Sequence, residues 1–127
     1  MAVQAPETVA TEPQITSQVV SEAITDAGAC SSEIVKYDWN VEQATAVMMI
    51  ESRDNPLSVN DNPRTGDYSV GCFQINLIGN MRNTRPSEEW LKIAANNVQY
   101  AYQMYTAQGT FCKTSGWYNT CKRLGYI

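Results

Sequence analysis

Histidine is absent from this sequence of 127 residues, and its absence excludes several kinds of catalytic site. Serine and cysteine nucleophiles that rely on an imidazole base need a histidine, and so do most zinc sites. The four cysteines contain no C-x-x-C pair, so the spacing typical of metal ligands is missing as well. We therefore expect neither a histidine-assisted nucleophile nor a zinc enzyme.

Long apolar runs are also absent, and positive charge is scarce. No apolar segment approaches the roughly 20 residues that span a membrane. The first residues lack both the basic and the apolar segment of a signal peptide, so we expect a signal or membrane anchor to have been removed upstream. The net charge of −4 and the pI of about 4.7 argue against nucleic acid as a partner, because a phosphate backbone attracts basic proteins.

Aromatic residues are missing from the first 36 positions, which divides the chain into two parts. Residues 1–29 are rich in Ala, Thr, Val, Gln, Pro and Glu, a composition that predicts a flexible N-terminal linker. Residues 15–28 could form one amphipathic helix, either docked on the domain or loose. The remaining residues, 30–127, are predicted to form a single domain of ordinary size.

The even number of cysteines favours disulfides over free thiols, although four cysteines allow three connectivities. Pairing the nearest two, Cys112 with Cys121, leaves Cys30 to pair with Cys72. A second interpretation stays open, in which Cys72 is a buried free thiol that packs as a small hydrophobe. Disulfides would indicate an extracytoplasmic location: secreted, periplasmic or associated with a cell wall.

Glu51 is the candidate catalytic residue. Residues 41–50 have helical spacing of apolar side chains, with Asn40 as a plausible N-cap, and Glu51 falls on the same apolar face. Apolar neighbours and the C-terminal end of a helix both disfavour the anion and raise a carboxyl pKa. A carboxylic acid that is protonated near neutral pH can donate to the leaving oxygen of a glycosidic bond. Alternatively, Glu51 is a solvated residue paired with Arg53.

Further elements follow Glu51 along the chain. Residues 63–66 predict a turn, and residues 68–75 predict a strand. Residues 79–85 predict a surface loop. Residues 91–108 have the longest helical pattern, and Gly109 is the expected C-cap of that helix.

Two segments together resemble the lysozyme-like superfamily, most closely the SLT domain of lytic transglycosylases and the goose-type lysozymes. The first segment is ESRDNP at 51–56, and the second is SVGCFQIN at 69–76. The DY pair before the second segment also resembles animal c-type lysozymes, and residues 96–111 together with Trp117 resemble the end of bacterial SLT domains. The resemblance implies a mainly α (α+β) lysozyme-like fold with a short β-hairpin beside the catalytic helix.

The resemblance also implies cleavage of the MurNAc-β-1,4-GlcNAc bond of peptidoglycan glycan strands, without a cofactor or metal. A lytic transglycosylase with Glu51 as its one acid/base would leave 1,6-anhydroMurNAc ends. Two alternatives stay open: a hydrolytic lysozyme that uses Glu51 with Asp67, 16 residues later, or a non-catalytic module that binds glycan or a partner. We expect a monomer, tethered to an envelope or virion assembly.

Four further residues are candidates for orienting Glu51 or binding substrate. Ser69 could hydrogen-bond Glu51, while the amides of Gln74 and Asn76 could bind sugar hydroxyl and acetamido groups. Alternation along a strand would direct Phe73 to the core and Gln74 to the cleft. Tyr102 could stack on a sugar ring. Each also has a plainer interpretation. Ser69 could be an ordinary turn serine, and Tyr102 could be a core aromatic. Gln74 and Asn76 could be solvated strand residues.

Overall fold

The computed structural model describes residues 28–113 and 115–127. Within these ranges the elements run in the order α1 (Ala29–Ile34), α2 (Val41–Ser52), β1 (Val59–Asn62), β2 (Asp67–Val70), β3 (Ile75–Asn76), α3 (Met81–Thr84), α4 (Glu88–Leu91), α5 (Ala94–Gln108) and α6 (Ser115–Leu124). The expected mainly α fold with a short β-hairpin is confirmed. The predicted linker and the helix at 15–28 lie outside the described residues, apart from the last one or two positions of each. None of the described helices combines the length and apolarity needed to cross a membrane.

Helix α2 begins as the sequence predicts and ends two residues later than expected. The side chain of Asn40 accepts a hydrogen bond from the backbone N–H of Gln43 at 2.9 Å, which caps the helix. Arg53 and Asp54 then adopt left-handed backbone conformations, with φ of 55° and 65°, and stop the helix. Glu51 therefore lies inside the last helical turn.

The sheet has three antiparallel strands in the order β1-β2-β3. The strand expected over residues 68–75 is wrong, because the chain turns between β2 and β3. Gly71 and Gln74 have φ of 83° and 52°, and the N–H of Gln74 donates to the Gly71 carbonyl at 3.1 Å. Phe73 is fully buried and Gln74 nearly so, and the turn, not alternation along a strand, sets where the two side chains lie.

The long helix expected over residues 91–108 is α5, which begins at Ala94, three residues later than predicted, whereas Leu91 ends the separate short helix α4. Gly109 caps α5 as expected: its φ is 80°, and its N–H donates to the Tyr105 carbonyl at 2.7 Å. The predicted loop over 79–85 contains the short helix α3. The sequence analysis did not identify α6, which packs against α2 near the C-terminal end of the chain.

One core joins these elements. The described cysteines form the pairs Cys30–Cys72 and Cys112–Cys121, as pairing by nearness along the chain predicts. The first disulfide links α1 to the turn after β2, and the second links the segment after α5 to α6. The largest fully buried side chains include Trp117, Phe73, Phe111, Ile34 and Met48.

Candidate functional site

The Glu51 carboxyl is partly buried where α2 packs against α6. The hydroxyl of Thr120, on α6, donates a hydrogen bond to Glu51 Oε2 at 2.5 Å. Burial raises the pKa of Glu51 from 4.5 to about 7, while the hydrogen bond from Thr120 acts in the lowering direction. The side chain therefore holds its proton to near neutral pH, as a general acid must.

A cavity of about 180 Å³ is lined in part by α6, the helix that carries Thr120. Its walls come from the chain between the turn and β3, from α3 and the residue after it, and from α5 and α6: Gln74, Ile75, Asn76, Met81, Arg85, Met104, Gly116 and Trp117. Glu51 is not part of the lining. However, Gly116 and Thr120 are four residues apart on α6, hence on one face and about 6 Å apart along its axis. The cavity and the Glu51 carboxyl are therefore neighbours along the same helix face.

Gln74 lines the cavity, but the N–H groups of its amide are hydrogen-bonded to backbone carbonyls of the protein. Its Nε2 donates to the carbonyls of Ser58 and Gly71, both at 3.1 Å, which ties the turn to the segment before β1. The side chain is only 9% exposed. These contacts make Gln74 a brace of the cavity wall.

Asn76 and Asp67 are hydrogen-bonded to each other across the hairpin. Asn76 Nδ2 donates to Asp67 Oδ1 at 3.0 Å, and Thr65 Oγ1 donates to Asp67 Oδ2 at 2.9 Å. Asn76 Oδ1 accepts from the backbone N–H groups of Tyr68 and Ile78. The hydrogen bonds from Asn76 and Thr65 lower the pKa of Asp67, so this partly exposed carboxyl is ionised at neutral pH.

In the described part of the chain, neither Ser69 nor Tyr102 is hydrogen-bonded to the Glu51 carboxyl. Ser69 pairs with Asn76 on β3, and among the described residues Thr120 makes the hydrogen bond to Glu51 that was expected from Ser69. The ring of Tyr102 packs against Tyr37 with centroids 4.7 Å apart. Its hydroxyl donates to the Asp38 carbonyl at 3.5 Å.

The structure thus brings together Glu51 and the cavity wall, with Gln74 and Asn76 in that wall. Sequence reasoning missed Thr120, together with Arg85 in the wall. A signal for α6 was present, since Trp117, Cys121 and Leu124 are spaced like one helix face and Gly125 follows as a terminator. That signal would have predicted the helix, although not the contact to Glu51.

The buried side chain of Asn97 was also missed, and it holds the turn in place. Its Oδ1 accepts from the Phe73 N–H at 2.8 Å, and its Nδ2 donates to the carbonyls of Val70 and Leu91. Three backbone groups from two segments are thereby paired inside the core. Asn97 fixes the position of the wall that carries Gln74 and Asn76.

The described residues contain no group of three or more His, Cys, Asp or Glu side chains that could hold a metal ion. A family model described as a lysozyme-like domain matches residues 20–113 of the chain. The match includes Glu51, the hairpin and α5, and it ends before α6. No curated protein and no solved structure gives a significant match.

Proposed function

This chain belongs to the lysozyme-like domain family, and on that premise we propose that it cleaves the MurNAc-β-1,4-GlcNAc bond of peptidoglycan with Glu51 as acid/base. At the family level, the lysozyme-like domain indicates activity on peptidoglycan glycan strands. The observation that carries the proposal for this chain is the buried Glu51 carboxyl, whose pKa is raised to about 7. A protonated carboxyl beside a cavity has the properties of a glycosidase general acid.

The proposed reaction is a lytic transglycosylation with a single carboxyl. Glu51 donates its proton to the glycosidic oxygen as the bond from C1 to that oxygen breaks, and GlcNAc leaves with a free 4-hydroxyl. The Glu51 carboxylate then removes the proton from the C6 hydroxyl of the muramyl residue while O6 bonds to C1. The product is a 1,6-anhydro end, no water is consumed, and Glu51 is protonated again.

The environment of Asp67 supports a mechanism with one carboxyl. Among the described residues, its two oxygens bind Asn76 and Thr65, and no hydrogen bond links Asp67 to Glu51 or Thr120. A hydrolytic lysozyme is the second candidate. It is favoured by the lowered pKa of Asp67, because an electrostatic stabiliser must be ionised.

We propose supporting roles, either in holding the cavity wall or at the edge of the substrate site, for four further residues: Ser69, Gln74, Asn76 and Tyr102. Gln74 stabilises the cavity wall through the hydrogen bond from its Nε2 to the Ser58 carbonyl. Asn76, in β3, is hydrogen-bonded to Asp67 at the start of β2. Tyr102, half-buried beside Tyr37, offers a ring edge to a bound strand. The proposed binding partner of these residues is the peptidoglycan strand. We also propose that the protein acts as a monomer.

The two disulfides support an extracytoplasmic location, because such bonds persist in oxidising compartments. We propose a secreted, periplasmic or wall-associated enzyme, tethered to an envelope or a virion assembly through its N-terminal residues.

Mass analysis of digested peptidoglycan tests this proposal. Muropeptides released by a transglycosylase lack the mass of one water relative to those released by a lysozyme. We expect anhydro ends from the wild type and a loss of at least about 1,000-fold in rate for Glu51→Gln, which cannot donate a proton. Hydrated reducing ends would establish the hydrolase instead. Wall cleavage that survives Glu51→Gln would overturn the mechanism, and a folded wild type that cleaves no glycan would leave a binding module.

A further inference from the structure

One charged side chain, Arg85, lines the cavity beside Glu51, and it takes no part in the proposed proton transfers. The other lining residues are neutral amides, apolar side chains and a glycine. Arg85 is half-buried, and its guanidinium is a cation with five N–H donors and no acceptor. The cavity therefore has a positive wall, although the chain as a whole is acidic.

Local structure holds Arg85 in place before any ligand arrives. Its Nη1 donates to the Asn76 carbonyl at 2.7 Å, and its backbone N–H donates to the carbonyl of Met81, the first residue of α3. Pro86 follows, and the residue before a proline is restricted to extended backbone, as the φ of −107° and ψ of 163° of Arg85 show. A side chain fixed in this way loses little conformational entropy on binding.

No protein carboxylate in the described part of the chain neutralises Arg85. The ion pairs there are Lys36–Glu33 and Lys92–Glu88, and neither includes it. Asp67 binds Asn76, the same residue whose carbonyl holds Arg85, yet its own oxygens are occupied by Asn76 and Thr65. A partly buried cation without an anion is costly unless a ligand supplies one.

We propose that Arg85 binds a carboxylate of the substrate, so that this cavity selects acidic glycans over neutral ones. The inference rests on the proposed function and deepens it. A planar guanidinium can bind a carboxylate through two parallel hydrogen bonds, and only one of the five N–H donors of Arg85 is used by the described residues. A cavity of about 180 Å³ suits one substituent of a strand rather than a whole disaccharide.

Peptidoglycan offers this carboxylate from two sources. Strands stripped of peptide expose the carboxylate of the lactyl ether on the muramyl residue. In intact strands that carboxyl forms an amide with the stem peptide, so the charged groups are the carboxylates of the peptide. Blocking all carboxylates as neutral amides gives the same glycan without charge.

The test compares cleavage of stripped, intact and amide-blocked peptidoglycan by the wild type, Arg85→Gln and Arg85→Lys. We expect Arg85→Gln to lower kcat/KM about tenfold on a carboxylate-bearing substrate and to leave it unchanged on the blocked one. Arg85→Lys keeps a positive charge but cannot form two parallel hydrogen bonds to one carboxylate. Its kcat/KM on the carboxylate-bearing substrate should therefore lie between those of the wild type and Arg85→Gln. Arg82→Gln is the matched control, because Arg82 is an exposed arginine of α3 that lies over the Tyr68 ring, outside the cavity.

The substrate on which Arg85→Gln loses activity identifies the source: stripped strands indicate the lactyl group, and intact strands indicate the peptide. Equal losses on charged and blocked substrates would mean that Arg85 only supports the wall, and would overturn the inference. Wild-type rates for Arg85→Gln on both charged substrates, or an equal effect of Arg82→Gln, would overturn it as well. A wild type inactive on every substrate would instead reject the proposed function, and this inference with it.

Discussion

At the scale of the residue, Glu51 owes its raised pKa to burial. Within the described part of the chain, desolvation by burial raises its pKa, and the hydrogen bond from Thr120 opposes that rise. Thr120 therefore has two effects: it holds the carboxyl in one orientation, and it keeps the pKa lower than burial alone would set it. In this way the hydroxyl tunes a general acid toward neutral pH.

Replacing Thr120 with valine should separate these two effects. Valine has the same shape without the hydroxyl, so the pKa of Glu51 should rise further. Since the acid form starts the reaction, the alkaline fall in kcat/KM, expected near pH 7 in the wild type, should move to higher pH. The maximal rate should drop about tenfold because the carboxyl is less well oriented.

Thr120→Ser is the matched control, because it keeps the hydroxyl and should keep the wild-type profile. The measurement is the pH dependence of kcat/KM for the three proteins. An alkaline limb that stays in place or moves to lower pH in Thr120→Val would contradict the role given to this hydrogen bond.

At the scale of the element, the turn between β2 and β3 positions the cavity wall. Gly71 has a left-handed backbone, its N–H donates to the Ser58 carbonyl at 2.7 Å, and the amide nitrogen of Asn97 occupies the space that a Cβ on Gly71 would need. The resemblance to known motifs correctly singled out this segment. The strand assigned to it was wrong because the left-handed residue at its far end, Gln74, is not a glycine and gives no turn signal.

Gly71→Ala should destabilise the fold strongly. An added Cβ would overlap the amide nitrogen of Asn97 and come within 2.5 Å of the Leu91 carbonyl oxygen, both in the core. We expect a loss of about 3 kcal/mol or more in the free energy of unfolding, from overpacking, backbone strain and broken hydrogen bonds. Chemical denaturation followed by far-UV circular dichroism measures it.

Gly109→Ala provides the matched control for backbone strain. Gly109 has nearly the same φ, 80° against 83°, but an added Cβ there would meet no atom within 4 Å. It should cost only the left-handed penalty of about 1–2 kcal/mol. Equal losses at both positions would show that the contact between Gly71 and Asn97 contributes nothing to stability.

At the scale of the whole molecule, the absence of histidine isolates the titration of Glu51. The folded-state pKa is about 7, against about 4.5 in the unfolded chain, so the native state binds more protons between these values. Stability from this group is complete below pH 4.5, falls as the pH rises through the window, and is lost above pH 7. The change over the window is at most about 3 kcal/mol, since one pKa unit corresponds to about 1.36 kcal/mol.

We therefore expect the free energy of unfolding of the wild type to fall between pH 5 and pH 8. Glu51→Gln has no charge to bury, so its stability should stay nearly flat across the same range. Denaturant titrations of both proteins at several pH values measure the difference. A wild-type curve as flat as that of Glu51→Gln would show that the carboxyl is solvated in the folded state.

Much of this protein is determined locally and can be predicted from the sequence alone. Helix α2 with its Asn40 cap, the Gly109 terminator and the position of Glu51 all follow from side-chain periodicity and backbone preferences over a few residues. The family could be predicted too, because both of its motifs, at 51–56 and 69–76, lie within one segment of 26 residues.

Only the tertiary structure decided the partners of these residues. Thr120 lies 69 positions from Glu51, and Asn97 lies 24 from Phe73, so neither hydrogen bond has a trace in local spacing. Arg85 likewise lies in the cavity wall, where its Nη1 binds the carbonyl of Asn76, nine positions earlier in the chain. The physical reason is that desolvation and hydrogen bonding depend on which distant segments pack together, whereas periodicity and capping depend only on neighbours along the chain.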